Sequence, residues 1–331
     1  MLIIFLMNYN NKIFKIKSEK EFEYYAIRIF RMQYKLNPVY QSYCNLIGTD
    51  LNDVKKLDQI PFLPIEFFKT KKVKSFKNSI SKIFYSSSKT KKNQSKHYIQ
   101  DISFYKNSLL NSFSYFYGSP TKYNFLALLP LYAENPNSSI IFMVKELMDV
   151  SNNKGFFFTN EYELIFEKLK FLEKSKKKTM LIGVSFALLD LIQFSKINLK
   201  NTIVIETGGM KGRKKEMIRE ELHNKLIDRL GVNKIHSEYG MTELLSQCYS
   251  KGDGVFSSPP WMKIKIRDLN DPLKELSVNS TGGINIIDLA NQESCSFIAT
   301  QDQGKIISEN KFEVIGRIDG SEARGCSLLL S

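Results

Sequence analysis

The central part of the chain alternates short apolar runs with longer amphipathic stretches. The predicted order is strand 125–131, helix 138–150, strand 179–184, helix 186–194, strand 202–206 and helix 213–230. In the last helix Ile218, Leu222, Leu226 and Leu230 recur every four residues and mark a buried face. Because strands and helices alternate, the pattern predicts an α/β domain in layers, with helices covering a largely parallel sheet.

The segments on either side follow other patterns. Aromatic and aliphatic residues at 19–47 have helical spacing, whereas 74–97 is rich in Ser and Lys and is predicted to be the least globular part. Beyond residue 261 the helical pattern fades and shorter apolar runs predict strands. The predicted division is a helical segment at 1–56 that packs on the core, an α/β core at 57–260, a β-rich subdomain at 261–315 and a hinge-like tail at 316–331.

Three polar clusters follow predicted strands, at 206–209, 237–243 and 300–302. Open α/β sheets bind ligands at the loops beyond the carboxyl ends of their strands. These clusters therefore predict one ligand site. In the second cluster Thr242 and Glu243 present a hydroxyl and a carboxylate together, which suits a phosphate and a magnesium ion. The alternative is a helix N-terminus capped by Thr242, with Glu243 favoured by the helix dipole.

Composition narrows the functional class. The 331 residues carry a net charge of +14, but the lysines are dispersed and there is no zinc-finger spacing or aromatic–basic platform, so a nucleic-acid partner is not expected. No apolar stretch is long enough to span a membrane. Four separated cysteines disfavour a disulfide scaffold or a cysteine metal site and predict a cytoplasmic location.

The cysteines and histidines are assigned individually. Cys295 is predicted to lie in the core and Cys248 to pack in a helix, and Cys44 has no predicted role. His223 is predicted on the solvated face of a charged helix, His97 is predicted to border the loop at 85–97, and His236 is predicted to end a strand at the ligand site. Since no base–nucleophile arrangement is evident, no histidine is assigned as a general base.

Several phrases of the sequence carry a family resemblance. They are IETGGMKG at 205–212, IHSEYGMTELLSQ at 235–247, PWM at 260–262, GINIIDLAN at 283–291, SCSFIAT at 294–300, GRID at 316–319 and RGCSLL at 324–329. In this order they resemble the adenylate-forming superfamily. Within it the chain is similar to acyl-protein synthetases, the fatty-acid-activating component of bacterial luciferase fatty-acid reductase systems. The resemblance implies the large N-terminal α/β domain of that superfamily with a β-rich subdomain, without the small mobile C-terminal domain.

The resemblance also implies an activity. A long-chain fatty or related carboxylic acid would be joined to AMP from ATP with Mg²⁺, and the acyl group would pass to Cys326 and on to an acyl-CoA reductase-like subunit. Arg324 and the overall positive charge would lower the pKa of that thiol.

Each site residue receives a role on the same basis. Thr242 contacts phosphate, Glu243 binds Mg²⁺, and Arg317 faces phosphate or acyl-adenylate oxygens. Gly208 and Gly209 let the base approach the backbone, Tyr239 and Gly240 line the nucleotide site, and Asp302 accepts both ribose hydroxyls. Ser86, Ser87 and Thr90 belong to the phosphate loop. Glu206 and Ser237 either touch the ligand or hydrogen-bond within their loops.

The phosphate loop departs from the family pattern. Ser88 and Lys91 stand where glycines are expected, and Lys89 replaces a hydroxyl residue. Glycine permits the positive φ angles of a backbone phosphate nest, which lysine charge does not restore. The alternative hypothesis is therefore a catalytically degenerate relative that serves as an acyl-transfer or scaffold subunit of a biosynthetic complex.

Overall fold

The computed structural model describes residues 11–87, 94–129, 136–151, 155–208 and 217–318, and the chain divides into two compact units. The first unit comprises Met1–Ser112, Thr242–Gln247 and Ser258–Phe312, and the second comprises Phe113–Met241, Cys248–Ser257 and Glu313–Ser331. The units therefore alternate along the sequence. The four-segment division made from the sequence stays a prediction.

Within the described residues, the helices α1–α8 span Glu19–Leu36, Pro38–Leu46, Phe67–Thr70, Ile102–Tyr117, Ser139–Val150, Tyr162–Lys174, Ser185–Phe194 and Arg219–Leu230. The strands β1–β14 span Leu63–Pro64, Lys82–Tyr85, Lys96–Ile99, Asn124–Leu128, Phe156–Phe158, Thr179–Gly183, Thr202–Glu206, Ile235–Tyr239, Cys248–Ser250, Val255–Ser257, Met262–Arg267, Thr281–Asp288, Phe297–Ser308 and Lys311–Arg317. Short 3-10 helices occupy Ile13–Lys15, Leu57–Gln59 and Pro120–Lys122.

The second unit contains the predicted parallel sheet. Its strands run in the order β5-β4-β6-β7-β8, all parallel, and β9 and β10 continue from β8 in antiparallel pairs. Every residue of β4 and β6 is buried, as expected for strands of a parallel sheet that is covered on both faces. The α/β fold predicted from the alternating pattern is confirmed.

The last helix of the parallel region, α8, ends at a glycine for a geometric reason. Gly231 takes φ 66°, the left-handed conformation that closes many helices, and its N–H donates to the Ile227 carbonyl. The helix begins at Arg219, so residues 217 and 218, which were predicted to be helical, are not. Residues 213–216 lie outside the described residues.

The first unit combines helices with antiparallel strands. Ser18 caps α1 and Asn37 caps α2, where Pro38 occupies the first helical position. Strands β11, β12 and β13 pair antiparallel, and β1 lies parallel to β13.

Residues 74–97 are more ordered than their composition predicts. Strands β2 and β3 form an antiparallel hairpin in which Phe84, His97, Tyr98 and Ile99 are buried. The prediction of a poorly globular segment is therefore wrong for these strands. The segment contains few apolar residues among many Ser and Lys, so its composition did not indicate that these few are buried. Residues 88–93 lie outside the description.

Candidate active site

The Gly208 turn follows β7 in the second unit. Gly208 has φ 72°, a conformation that L side chains rarely adopt. Its N–H donates to Glu206 Oε2 at 2.6 Å, and its carbonyl accepts from the Ser185 N–H at 2.9 Å. The Ser185 hydroxyl also donates to Glu206 Oε2, at 3.1 Å. The turn is therefore held at both of its backbone polar groups by the end of β7 and the start of α7.

Glu206 is buried but lies among cationic groups. Arg219 Nε and His223 Nε2 are 3.6 Å and 3.7 Å from Glu206 Oε1. Burial acts to raise the pKa of Glu206, but the hydrogen bond from His223 and the charges of Arg219 and His223 outweigh it and lower the pKa to about 2. Glu206 was predicted either to touch the ligand or to hydrogen-bond within its loop. The contacts observed include a hydrogen bond within the loop, from the Gly208 N–H.

His223 does not lie where the sequence predicts. It is only 7% exposed, and its Nε2 is 3.4 Å from the Ser237 hydroxyl as well as near Glu206. The prediction of a solvated position is wrong. It was based on the charged residues around His223 on α8, which do not indicate that this side chain faces the interior. Ser237 is fully buried and contacts this histidine.

Strand β8 extends through the motif as far as Tyr239. Tyr239 is buried and its ring meets Phe256 edge to face, with 5.8 Å between ring centroids. His236 is an interior residue of the strand rather than its end; its ring stacks on Tyr117, and its Nδ1 is 3.0 Å from the Tyr117 hydroxyl. Burial, with the charges of nearby lysines, lowers the pKa of His236 to about 4.

Glu238 is a titratable residue that the sequence analysis passed over. Burial, followed by the charge of Glu206, raises the pKa of Glu238 to about 8. This carboxyl therefore ionises at a higher pH than an ordinary glutamate. Its position in the phrase IHSEYGMTELLSQ, directly before Tyr239, was the available indication in the sequence, but its neighbour Glu206 comes from another strand.

In the first unit, Asp288 fastens the turn at Thr242–Ser246. Its Oδ2 accepts from the Leu245 and Ser246 N–H groups, each at 2.9 Å. Its Oδ1 accepts from the Ser246 hydroxyl at 2.7 Å and from the Ala290 N–H at 3.1 Å. Residues 242–246 form a turn and lead into β9, so the alternative of a helix N-terminus is wrong and Cys248 packs in a strand.

Trp261 and Asn291 complete the support of this turn. The Trp261 indole donates to the Ser246 hydroxyl at 2.9 Å, and Asn291 Nδ2 donates to the Glu243 carbonyl at 2.7 Å. Glu243 itself is fully buried, whereas Thr242 is partly exposed. The phrase GINIIDLAN contained Asp288 and Asn291, but their function as backbone anchors depends on the tertiary fold.

Asp302 lies in the interior of β13 and not at a strand end, which corrects the prediction. The pairing of β12 with β13 shifts there, because Gly283 faces Gln303 whereas Asn285 faces Ala299. Residues 300–302 of β13 therefore lie opposite the single residue Ile284 of β12, an irregularity of the β-bulge type, which is common beside active sites. Asp302 is buried, and its N–H donates to the Thr300 hydroxyl at 3.1 Å.

Arg267, which the sequence analysis missed, holds the bulge. Its guanidinium donates to the carbonyls of Ile284 at 2.9 Å and Thr300 at 2.6 Å, and to Asn285 Oδ1 at 2.9 Å. A Cβ at Gly283 would lie 2.5 Å from Arg267 Cζ, so glycine makes room for this side chain. The feature that could have indicated this contact is the glycine pair Gly282 and Gly283, which lies on the strand that pairs with the strand of Arg267.

The remaining predicted residues are distributed as follows. The Ser86 hydroxyl accepts from the Ser95 N–H at 2.8 Å, which closes the β2–β3 hairpin, and Ser87 follows it. Arg317 is the last residue of β14 and is partly buried. Thr90, Gly209 and Cys326 lie outside the described residues.

The predicted site residues divide between the units. Ser86, Ser87, Thr242, Glu243 and Asp302 belong to the first unit, and Gly208, Tyr239, Gly240 and Arg317 belong to the second. Their assignments to ligand groups stay predictions.

Two features are absent from the ranges that the structure describes. No helix in these ranges is long and apolar enough to cross a bilayer. No group of three or more His, Cys, Asp or Glu side chains in the same ranges could hold a metal ion by itself. Magnesium is usually bound by one or two carboxylates together with water and substrate phosphates, so the donor set of Glu243 and a nucleotide is chemically suitable.

The fold has known counterparts. A 2-hydroxyisobutyryl-CoA ligase solved in an open conformation with 2-HIB-AMP and CoA is 12% identical, with a TM-score of 0.67 over 92% of this chain and 71% of that chain. ATP-bound MatB from Rhodopseudomonas palustris is 18% identical, with a TM-score of 0.53 over 73% of this chain and 50% of that one. This chain thus matches only half the length of MatB. The fold is that of the large N-terminal domain of adenylate-forming enzymes.

Sequence comparison defines the group more closely. The long-chain-fatty-acid–luciferin-component ligase of Aliivibrio fischeri is 24% identical over 346 residues, which cover 95% of this chain and 89% of the relative. Residues 11–331 match the acyl-protein synthetase family LuxE. This chain therefore belongs to the LuxE acyl-protein synthetase family, and the resemblance inferred from its motifs is confirmed.

Proposed function

We propose that this chain activates a long-chain fatty acid with ATP and then carries the acyl group on Cys326. Family membership supports carboxylic acid activation, and the name of the Aliivibrio fischeri relative favours a long-chain fatty acid. The observation that carries the proposal is the turn at Thr242–Ser246, which Asp288 fixes by three hydrogen bonds. A rigid backbone at this position suits a reaction that depends on positioning.

The first step joins two anions. A carboxylate oxygen of the fatty acid attacks the α-phosphorus of ATP, a P–O bond forms, and pyrophosphate leaves with the electrons of the broken P–O bond. Thr242 is assigned to donate a hydrogen bond to a phosphate oxygen. Stabilising the developing charge by fixed donors is the main contribution available to a protein here.

The metal has a defined place in this proposal. Glu243 is assigned to hold a magnesium ion, because a carboxylate is the hard oxygen ligand that this cation prefers. A bound magnesium ion supplies charge neutralisation at the phosphates. Arg317 and Asp302 are assigned to phosphate or adenylate oxygens and to the ribose hydroxyls, respectively.

The second step transfers the acyl group. The Cys326 thiolate attacks the carbonyl carbon of the acyl-adenylate, a thioester forms, and AMP leaves. A reductase that accepts an acyl thioester is the proposed partner. Its action would be measured as aldehyde release after the acylated chain and the reductase are mixed. The proposed location is the cytoplasm, where the thiol would stay reduced.

Pyrophosphate exchange tests the first step. Labelled pyrophosphate should enter ATP only when a fatty acid is present. Glu243→Gln should reduce the exchange rate about 100-fold, the order found when a group that stabilises a transition state is removed. Glu275→Gln is the matched control, because Glu275 is an exposed carboxylate of the same unit. Absence of exchange with a panel of carboxylic acids would refute activation.

Intact mass tests the second step. Incubation with ATP, Mg²⁺ and fatty acid should add one acyl group that hydroxylamine removes. Cys326→Ser should abolish this labile adduct, whereas Cys44→Ser should retain it, because Cys44 is a buried thiol whose pKa burial raises to about 12. A labile adduct on Cys326→Ser would contradict the assignment.

A second candidate function rests on the phosphate loop. Ser88 and Lys91 replace glycines there, which favours an acyl-transfer or scaffold subunit without ATP turnover. A preformed acyl-adenylate separates the two functions. If Cys326 is acylated by that compound while pyrophosphate exchange is absent, the transfer function is supported. Exchange that rises in a Ser88→Gly, Lys91→Gly variant would assign the deficit to this loop.

A further inference from the structure

We propose that His97 is a positioning residue that connects the phosphate-loop hairpin with the turn bearing Thr242 and Glu243. This inference rests on the proposed function, since it assigns a role within the same site. His97 lies on β3 and is 0% exposed. Its Nδ1 is 2.7 Å from the Thr242 carbonyl oxygen and its Nε2 is 3.0 Å from Asn291 Oδ1.

The hydrogen-bonding groups determine the direction of the first contact. A backbone carbonyl can only accept, so His97 Nδ1 carries a proton and donates it to the Thr242 oxygen. Asn291 Oδ1 also only accepts, so Nε2 donates to it only when that nitrogen is protonated as well. The ring is also positioned by packing, because it meets Phe68 edge to face with 6.0 Å between centroids. A buried ring with an engaged Nδ1–H and no exposed surface is suited to fixing backbone rather than to proton transfer with a substrate.

Asn291 extends the arrangement to the next residue of the turn. Its Nδ2 donates to the Glu243 carbonyl at 2.7 Å and to the Cys295 carbonyl at 2.8 Å. Rotating the amide by 180° would direct its oxygen at these two carbonyl oxygens, so its orientation is determined by the network. His97 and Asn291 therefore hold two consecutive carbonyls, those of Thr242 and Glu243.

The other end of the connection is the hairpin. His97 is paired with Phe84 across β2 and β3, and two residues further on Ser86 and Ser95 close the hairpin by hydrogen bonds at 3.1 Å and 2.8 Å. The predicted phosphate loop runs between these serines. A displacement of the Thr242 carbonyl would thus be transmitted through His97 to the base of this loop. His97 and Asn291 both donate to backbone carbonyls of the turn and therefore fix its backbone. The orientations of the Thr242 and Glu243 side chains depend on that backbone.

Three substitutions separate positioning from simple packing. His97→Phe keeps an aromatic ring against Phe68 but removes the Nδ1–H donor to the Thr242 carbonyl and the polar contact of Nε2 with Asn291. His97→Asn keeps a donor near the place of Nδ1, whereas His97→Gln places its amide near Nε2. Phe68→Leu is the packing control, since it removes the ring contact and keeps the histidine.

The first measurement is pyrophosphate exchange, with KM for ATP and kcat determined separately, beside the melting temperature. We expect His97→Phe to lower kcat about 100-fold, the effect of a misplacement of about 1 Å. His97→Asn should retain activity within about fivefold and exceed His97→Gln. Phe68→Leu should lower the melting temperature without loss of kcat. Equal kcat in the wild-type chain and His97→Phe would overturn the proposal, as would equal loss in Asn and Gln variants.

The second measurement does not require activity. Amide hydrogen exchange in peptides covering residues 242–247 should accelerate about tenfold in His97→Phe and stay unchanged in Phe68→Leu. If the wild-type chain shows no pyrophosphate exchange but this acceleration is seen, positioning stands and the proposed function fails. Unchanged amide exchange in a folded His97→Phe variant refutes positioning. If His97→Phe does not fold, the comparison of the Asn and Gln variants decides the question by both measurements.

Discussion

Two turns, one in each unit, are fastened by a buried carboxylate, but the two carboxylates lie in different electrostatic surroundings. In the second unit Glu206 accepts from the Gly208 N–H and the Ser185 hydroxyl. In the first unit Asp288 accepts from the N–H groups of Leu245 and Ser246 and from the Ser246 hydroxyl. Backbone N–H groups that would otherwise be buried without acceptors are satisfied in both turns.

The difference lies in charge compensation. Glu206 has Arg219 and His223 beside it, and the hydrogen bond from His223 together with the charges of these neighbours outweighs burial and lowers the pKa of Glu206 to about 2. Burial raises the pKa of Asp288, and the groups that oppose this are the uncharged donors of Ser246, Leu245 and Ala290. One turn thus depends on an ion cluster and the other on hydrogen bonds alone. Their responses to substitution and to pH should differ accordingly.

The largest effect is expected from Glu206→Gln. The substitution leaves Arg219 and His223 without their anion, and breaking a buried ion pair costs about 3 kcal/mol. The carboxylate contributes stability fully above pH 4.5, its ordinary pKa, and loses it as the pH falls towards about 2, its pKa in the folded chain. Urea unfolding should therefore show the full difference from wild type at pH 7 and a smaller one at pH 3.

An exposed ion pair provides the control for that measurement. Glu221 and Lys225 lie on α8 with side chains 51% and 48% exposed, so Glu221→Gln should cost less than about 0.5 kcal/mol. If Glu206→Gln costs no more than this control at pH 7, the ion cluster does not stabilise the Gly208 turn.

A smaller effect is expected from Asp288→Asn. The amide keeps one acceptor oxygen but turns an NH₂ group towards donors that Asp288 satisfies, which costs about 2 kcal/mol. Because Asp288 has a raised pKa, the wild-type carboxylate is itself disfavoured as the pH rises above 3.8, its ordinary pKa. The cost of Asp288→Asn should therefore decrease as the pH rises, opposite to Glu206→Gln.

Urea unfolding of Asp288→Asn from pH 4 to pH 7 measures this trend. Asp228→Asn is the control, since Asp228 is an exposed partner of Lys196. A cost that increases with pH would show that the ionised form of Asp288 is the stabilising one and would remove the distinction between the turns.

The sequence predicted those features of the two regions that depend on residues close together in the chain. The strand at 202–206 was predicted with the bounds found, Thr202–Glu206, because a continuous apolar run needs no distant partner to be recognised. Thr242 and Glu243 were assigned to the site from their motif, and that assignment stays a prediction. Neither prediction required knowledge of which strands become neighbours.

The parts that were missed depend on residues far apart in the chain. His223 contacts Glu206 and Ser237, which come from other elements. Arg267 contacts the β-bulge from a neighbouring strand, and Gly283 makes room for its side chain. Hydrophobic periodicity reports burial of one segment and carries no information about such pairings. Asp288 was visible in a motif, but its role became evident only when Leu245 and Ser246 were placed against it.

The effect that sharpens the comparison most is expected from Glu238→Gln, because it is a gain of stability and not a loss. Glu238 shares the field of Glu206, and burial together with that charge raises its pKa to about 8. The folded state is therefore penalised progressively as the pH rises from 4.5 to about 8. Glutamine resembles the protonated carboxyl, so Glu238→Gln should stabilise the chain, and by clearly more at pH 8 than at pH 5. Thermal unfolding at both values measures this, with exposed Glu220→Gln as control; equal shifts at the two pH values would contradict a raised pKa.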